Sequence, residues 1–268
     1  MTVSHGIGLG VLGVVVGALG TVMGAGGGFI LLPALVLLYP HEPAATLTAV
    51  SLLVVCVNAA SGSLAYARMG RIDTRSALIF IAAGLPGAIA GAWATHALRR
   101  QTFDPLVGAI LVAVAVSIFV VPSRDAAAPR GAATRRLVER SGVVHEYRPR
   151  IGLGIAVSVV VGFVSSLLGI GGGIIHVPAM VALLGFPAHV ATATSHLVVA
   201  VLALAGVLVH LHEGTLVPGL TRSLPLVMGA AVGAQLGARL STRIRGRWIL
   251  MGLGVALGSV GVRLLLVR

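Results

Sequence analysis

The chain has 268 residues, of which 57% are hydrophobic and only 10% are charged, and its net charge is +12. A soluble domain of this length needs a largely polar exterior, which so few charged residues cannot provide, so the composition excludes a soluble globular protein. The positive charge does not indicate a nucleic-acid-binding face either. The basic residues are all arginines, and they fall in short loops and one linker rather than along a single surface.

Long runs without charged residues predict membrane-spanning helices. No Asp, Glu, Lys or Arg occurs in residues 6–40, 43–67, 76–98, 105–123 or 151–212. A helix needs roughly 18 or more apolar residues to cross a hydrocarbon core about 30 Å thick. We therefore expect an all-α polytopic membrane protein that lies in a lipid bilayer.

The first apolar segment has a competing interpretation as a signal peptide, because small residues follow it at Gly17, Ala18 and Gly20. Two observations favour a membrane span instead. No basic residue precedes the apolar run, and an equivalent segment recurs in mid-chain at residues 151–168.

The apolar segments divide the sequence into two halves of five segments each. The second segment of each half is short and directly follows a glycine cluster, so it is a full crossing, a half-helix or a re-entrant piece. The predicted segments are residues 6–22, 27–39, 44–67, 76–98 and 104–122 in the first half, and 151–168, 172–185, 188–210, 218–240 and 247–266 in the second.

The two halves also resemble each other in sequence. Residues 24–34 (GAGGGFILLPA) recur as residues 169–179 (GIGGGIIHVPA), and Pro43-Ala44 recurs as Pro187-Ala188. An ordered series of such matches is typical of a duplicated unit. Inverted repeats commonly accompany paired broken helices in transporters, so we favour inverted over parallel repeats.

A polar linker separates the halves. Residues 124–150 carry seven arginines and three acidic residues among scattered Pro, Gly and Ala. This composition predicts a poorly ordered cytoplasmic linker. The predicted organisation is membrane repeat 1 at residues 1–123, the linker at 124–150, and membrane repeat 2 at residues 151–268.

The glycine clusters predict broken helices. Each glycine in a helix interior costs about 1 kcal/mol relative to alanine, so three in a row favour a break. The helix that restarts after the break presents unpaired N–H groups and a positive dipole end, which together form an anion site without a basic side chain. The alternative is that the glycines only allow helices to pack closely. The candidate substrate-binding glycines are Gly26, Gly27, Gly28, Gly171, Gly172 and Gly173.

A nucleotide-binding loop is excluded for both clusters. A P-loop needs a lysine after its glycines, and this chain contains no lysine. A dinucleotide-binding fold needs a preceding strand and a later acidic residue, whereas these glycines lie inside charge-free apolar segments.

Hydroxyl side chains near the start of the third segment of each half are further candidates. Ser51 in the first half, and Thr192 and Ser195 in the second, could complete an oxyanion-binding shell. In a membrane helix such hydroxyls often bond to their own helix carbonyl instead. Asn58, Ser61 and Gln235 are other polar candidates, with interhelical hydrogen bonds as the alternative.

Two histidines, His176 and His196, lie within apolar segments of the second half, and leucines occupy the equivalent positions of the first. Ionisable groups at membrane depth are costly and often functional, and histidine titrates near neutral pH. They are therefore candidates for proton coupling beside the second break. A neutral histidine bonded to a backbone carbonyl is the alternative.

Enzymatic readings have little support. Ser195 and His196 are adjacent and point to different sides of a helix, so they do not form a catalytic dyad. The single cysteine, Cys56, and acids confined to loops provide no metal cluster. We expect no enzymatic activity, no cofactor, no metal and no nucleic-acid partner.

The doubled glycine motif with its following Pro-Ala, and the hydroxyl-rich third segment, resemble the TauE/SafE sulfite exporter family, also called the 4-toluene sulfonate uptake permease family. The resemblance covers both halves. It implies a secondary transporter for small anions such as sulfite, sulfonates and related organic anions in a bacterial-type cytoplasmic (inner) membrane. It does not identify the substrate, the direction of transport or a homo-oligomeric state. A non-transporting assembly or sensory protein is the alternative.

Overall fold

The structure is a computed structural model that describes residues 3–120, 135–242 and 246–266. These residues form ten α-helices, two 3₁₀ helices and one β-hairpin. The α-helices are α1 (Val3–Met23), α2 (Gly28–Leu38), α3 (Ala44–Met69), α4 (Thr74–Ala94), α5 (Arg100–Val120), α6 (Ile151–Leu168), α7 (Gly173–Ala182), α8 (Ala188–His212), α9 (Leu220–Ser241) and α10 (Gly246–Leu266). The 3₁₀ helices are Thr95–Ala97 and Val217–Gly219, and the strands are β1 (Arg135–Val138) and β2 (Val144–Tyr147).

The helices confirm the predicted class. Within the described ranges, α1, α3, α4, α6 and α8 are long and apolar enough to cross a membrane, judged by length and composition. The two helices after the glycine clusters are short, with 11 residues in α2 and 10 in α7. Each predicted apolar segment coincides with one helix. The chain is an all-α, multi-pass membrane protein.

Large apolar side chains cover much of the outer surface. Leu224 and Met228 on α9 are 63% and 68% exposed, and Val160 on α6 is 61% exposed. In water such a surface would be costly. Facing lipid tails it costs little, so these positions are the lipid-contacting faces of the fold.

Small residues allow helices of different halves to pack backbone to backbone. A Cβ placed on Gly17 of α1 would lie 2.5 Å from the carbonyl oxygen of Ala230 on α9. The contact between α4 and α6 is similarly close, since a Cβ on Gly87 would lie within 2.5 Å of the carbonyl oxygen of Val159. Close approach at small residues is the usual way in which membrane helices associate.

Helices at equivalent places in the two halves run in opposite directions. Along α3 and α8, Gly62 lies beside His196 and Leu52 lies beside Gly206, so the order of contacts is reversed. Along α5 and α10, Gly108 lies beside Leu265 and Gly258 lies beside Ala115, again in reverse order. An inverted repeat would produce these directions, and inverted repeats remain our proposal.

Part of the predicted linker is ordered, which corrects the sequence expectation. β1 and β2 pair in antiparallel register, and Gly142 in their turn has a φ of 88°. The hairpin packs on the loop between α3 and α4, where Arg71 Nε lies 2.9 Å from Glu139 Oε2 and the Tyr147 hydroxyl donates to Asp73 over 2.9 Å. These contacts explain the order, because each charged group in them has a partner. The linker residues 124–134 lie outside the described part of the chain.

Candidate functional site

The glycine clusters break their helices, as the sequence predicts. α1 ends at Met23 and α2 begins at Gly28, and between them Gly24, Gly26 and Gly27 have φ values of 73°, 74° and 81°. These left-handed conformations are accessible to glycine but strained for other residues.

The second break is similar but not identical. Gly169 and Gly171 have φ values of 66° and 73°, whereas Gly172, immediately before α7, has a right-handed φ of −58°. The equivalent residue of the first break is Gly27, whose φ is positive. The two glycines therefore have different conformational requirements.

The two breaks meet in the middle of the protein. A Cβ placed on Gly28 would lie 2.6 Å from the carbonyl oxygen of Ile170, and one on Gly173 would lie 2.5 Å from the Cα of Ala25. Val55 of α3 contacts both breaks, since its side chain lies close to Gly26 and Gly171. The glycine clusters are buried. The structure thus brings together the glycines that the sequence places 145 residues apart.

Ser51 and Ser195 contact the breaks across the two halves. Ser51 Oγ donates to the carbonyl oxygen of Gly169 over 2.5 Å, and Ser195 Oγ donates to that of Gly24 over 3.4 Å. Both carbonyls lie directly after the C-terminus of a helix, where carbonyl groups have no N–H partner within the helix. These two predicted site residues are at the breaks, but in this structure their hydrogens satisfy backbone carbonyls.

Thr192 also lies at the first break, with its hydroxyl turned away from it. Its Oγ1 donates to the carbonyl oxygen of Ala188 over 2.8 Å, one helical turn earlier. A Cβ placed on Gly24 would lie 2.8 Å from the Thr192 methyl carbon. The structure therefore shows the helix-bonded alternative for this hydroxyl, with its methyl group packed on the glycine.

Two helix N-termini face the centre of the fold from the two breaks. The amides of Ile30 and Leu31 bond to the carbonyl of Gly27, which leaves the amides of Gly28 and Phe29 without an intrahelical acceptor. The same holds in α7, where the Ile175 amide bonds to the Gly172 carbonyl. Such termini carry partial positive charge and favour anions.

A buried polar cluster lies beside the first break. Thr21 Oγ1 lies 3.2 Å from both Asn58 Oδ1 and His196 Nε2, and the Tyr66 hydroxyl donates to the Thr21 carbonyl oxygen over 2.8 Å. The Tyr66 and His196 rings meet edge to face at 5.8 Å. We call Thr21, Asn58, Tyr66 and His196 the α1 polar cluster.

The position of His196 corrects one expectation. The sequence placed both histidines beside the second break, but His196 contacts Thr21, in the last turn of α1. The antiparallel pairing of α3 with α8 carries it to the other half. Thr21 and Tyr66 were not predicted from the sequence, although a threonine three residues before a glycine break is a usable signal.

His176 lies in a different environment. Its Nε2 is 3.3 Å from Ser158 Oγ of α6, and its ring meets Phe80 of α4 edge to face at 5.4 Å. Ser158 donates its own hydrogen to the Gly154 carbonyl, so the histidine is the donor in their contact. The two histidines therefore belong to separate clusters.

Ser61 and Gln235 join α3 to α9. Gln235 Nε2 donates to the Ser61 carbonyl oxygen over 2.7 Å and to its hydroxyl over 2.9 Å, and Ser61 Oγ donates to the Ala231 carbonyl over 2.9 Å. These are the interhelical hydrogen bonds that the sequence analysis named as the alternative for both residues.

Paired broken helices, with their N-termini directed to a shared buried centre, define a membrane transporter. The family model "Sulfite exporter TauE/SafE" matches residues 9–264. A relative from Bacillus subtilis (strain 168), named "Probable membrane transporter protein YunE", is 30% identical over an alignment of 262 residues that covers 95% of each chain. The chain therefore belongs to the TauE/SafE family of membrane transporters. It matches no solved structure.

Proposed function

We propose that this protein is a secondary transporter of small anions in a bacterial cytoplasmic membrane, with sulfite, sulfonates or related organosulfur anions as substrates. The observation that supports this most directly is the convergence of two helix N-termini at the paired breaks. Backbone amides there can bind an oxyanion without a basic side chain. Amide donors do not distinguish sulfur from carbon oxyanions, so the choice of sulfur rests on the family.

The proposed substrate site is formed at the two breaks by Gly26, Gly27, Gly28, Gly171, Gly172 and Gly173, with Ser51, Thr192 and Ser195 around them. The glycines are buried, so a substrate reaches them only after the halves rearrange. Opposite helix directions in the two halves support an inverted pair that alternately opens to each side of the membrane. The same serines that cap Gly24 and Gly169 would turn to the anion when it enters.

We propose that proton coupling, if transport is coupled, involves the buried histidines His176 and His196. His196 has the stronger case, because it contacts Thr21 at the end of α1, next to the proposed site. Helices α1, α2, α6, α7 and α8 contain no acidic side chain that could carry a proton instead.

A counterflow assay in proteoliposomes tests the proposed function. Vesicles that contain the purified protein and are loaded with sulfite, thiosulfate, sulfoacetate or taurine should exchange at least one of these compounds faster than protein-free vesicles. Gly27→Leu and Gly172→Leu should abolish the flux while leaving protein in the membrane, because the new side chains would collide with Val16 of α1 and Val161 of α6 and displace the backbone of the breaks. Normal flux in both variants would contradict the proposed site.

The alternative is a non-transporting assembly or sensory protein whose glycines serve packing. The close approach of Gly28 to Ile170 is the observation that favours it, since packing alone would also need glycine there. This alternative predicts that the wild-type protein moves none of the tested anions. We propose no enzymatic activity for either case.

A further inference from the structure

Two members of the α1 polar cluster, Asn58 and His196, have apolar equivalents in the sequence of the other half, Leu202 and Leu52. In the sequence match between halves, Gly62 corresponds to Gly206, and these two glycines occupy equivalent places in the structure. Gly62 lies against the His196 ring, whereas Gly206 lies against the Leu52 side chain. The helix pair α3–α8 thus places a polar group at one break and an apolar group at the other.

The asymmetry extends to the central member of the cluster. Asn58 corresponds to Leu202, which packs with Phe80 and Val198 in an apolar core. Thr21 corresponds to Ser166, whose hydroxyl lies near Gly206 and has no hydrogen-bond partner among the residues that the structure describes. At the first break an amide and an imidazole therefore join the Thr21 hydroxyl, whereas leucines take the equivalent positions in the sequence match that contains Ser166.

Asn58 has an unused hydrogen-bond donor. Its side chain is fully buried, and its Nδ2 has no partner within the part of the chain that the structure describes. The Thr21 hydroxyl donates to its Oδ1, so the oxygen end is occupied and the amino end is the one left over. A buried N–H group without an acceptor is destabilising, which points to an acceptor that is present in the working protein.

The same hydrogen-bond pattern determines the role of His196. Because Thr21 has one hydroxyl hydrogen and donates it to Asn58, His196 Nε2 donates to Thr21. Thr21 and His196 therefore hold the Asn58 side chain in place, and the Nδ2 hydrogens remain available to a ligand.

The chain segments that contain Asn58 and the two breaks carry no full positive charge. Residues 6–40, 43–67 and 151–212, which include most of the helices at the breaks, have no Lys or Arg. Neutral donors can stabilise one negative charge, as helix N-termini do. The desolvation cost rises steeply with charge, and a dianion would enter without a counter-charge.

We propose that Asn58 Nδ2 binds the substrate, so that transport uses one asymmetric site at the first break, and that this site accepts singly charged oxyanions such as a sulfonate or hydrogensulfite over dianions. This inference rests on the proposed transport function and deepens it. Thr21 and His196 are positioning residues that orient the Asn58 amide, and the substrate oxygen accepts its hydrogens.

One substitution in each half tests the asymmetry. In proteoliposomes at one fixed pH, Asn58→Leu should raise the half-saturation concentration for sulfite about tenfold to a hundredfold, the range for a lost hydrogen bond to a charged group. Asn58→Leu places in the first half the residue found at position 202, and it leaves no polar group unsatisfied on its own side chain. Ser166→Ala, at the position equivalent to Thr21, is the control in the other half and should leave half-saturation unchanged. An equal effect of both variants would overturn a one-sided site.

Competition tests the charge preference. Methanesulfonate, a permanent monoanion, should inhibit wild-type sulfite flux, whereas sulfate at the same concentration should not. Methanesulfonate should inhibit the Asn58→Leu variant far less. Inhibition by sulfate equal to that by methanesulfonate would overturn the preference for a single charge.

The failure of this inference is distinguishable from failure of the proposed function. If wild-type vesicles move none of the anions, the transport proposal itself fails. If wild-type vesicles move sulfite and Asn58→Leu moves it with unchanged half-saturation, transport stands and the Asn58 site is wrong. Size-exclusion profiles of each variant in detergent show whether a loss of flux reflects loss of folding.

Discussion

Ser51 on α3 donates a 2.5 Å hydrogen bond to the carbonyl oxygen of Gly169, the residue that ends α6 in the other half of the chain. Ser195 on α8 makes the reciprocal contact with Gly24, at the longer distance of 3.4 Å. Each half thus caps a helix end of the other half. The halves are held together at the point where the proposed site lies.

The difference between these two distances predicts unequal effects of serine removal. Ser51→Ala leaves the buried Gly169 carbonyl without its donor and should lower the free energy of unfolding by about 2 kcal/mol. Ser195→Ala should cost about 0.5 kcal/mol, because a 3.4 Å contact is weak. Thermal unfolding in detergent measures both, and a larger effect of Ser195→Ala would contradict the structure.

The backbone conformation at the two breaks predicts that equivalent glycine substitutions differ in their effect on stability. Gly27→Ala should be more destabilising than Gly172→Ala, because φ is 81° at Gly27 and −58° at Gly172. A left-handed alanine costs about 1 kcal/mol before any clash. The new methyl of Gly27→Ala would also meet the Val16 carbonyl oxygen at 2.7 Å.

Gly172→Ala is the control at the second break, and its new methyl would meet a side chain that can move. In Gly172→Ala the closest atom is a methyl carbon of Val161, at 2.8 Å, which can move by rotation of its side chain. Melting temperatures of the two variants in the same detergent are the measurement. Equal losses would show that space rather than backbone conformation limits both positions.

We expect the contact of the hairpin with Asp73, which lies outside the membrane-spanning helices, to depend on pH. Burial alone would raise the pKa of Asp73, but hydrogen bonds from Ser76, Arg135 and Tyr147 outweigh it and lower the pKa below its ordinary value of 3.8. A lowered carboxyl pKa contributes stability that is complete above the unfolded-state value and is lost as pH falls through the folded-state value. The hairpin should therefore stay docked at neutral pH and loosen below about pH 4.

Hydrogen–deuterium exchange of residues 135–147 measures this loosening. Exchange corrected for intrinsic rate should increase between pH 6 and pH 3 in the wild type. Asp73→Asn removes the charge that pairs with Arg135 and should show fast exchange already at pH 6, with about 2 kcal/mol less protection. Unchanged protection in this variant would show that the ion pair does not hold the hairpin.

Proton coupling predicts different effects for the two histidines. His196→Gln should flatten the pH dependence of flux, because His196 belongs to the α1 polar cluster and Gln cannot titrate. His176→Gln is the matched comparison, since His176 is equally buried but contacts Ser158 and Phe80 instead. Sulfite flux measured across a pH series tests both, and an unchanged profile in the His196 variant would indicate uniport or another coupling ion.

The sequence predicted the elements of this fold better than their contacts. Apolar segments, most of them without charged residues, located each of the described α-helices, because lipid demands long apolar helices. The glycine clusters likewise predicted the breaks. These are local properties that depend on neighbouring residues.

The missed features depend on residues that are distant in sequence. The contact of His196 with Thr21 needs the antiparallel pairing of α3 and α8, which no local pattern reveals. The hairpin was missed for a different reason, since its strands have four residues each and their alternation was masked by the arginine content of the linker. Its docking depends on Arg71 and Asp73, which lie far earlier in the chain.

The backbone packing of α1 on α9 also affects how the protein is made. A ribosome completes α1 about two hundred residues before α9 emerges. During most of synthesis, the glycine face around Gly17 therefore lacks Ala230, the residue on which it packs in the folded protein. The Gly and Ala residues of that face can contact lipid until then at little cost in free energy, because they have no polar side chains. Insertion of α9 then completes this contact, and a chain truncated before α9 would leave α1 without this backbone partner.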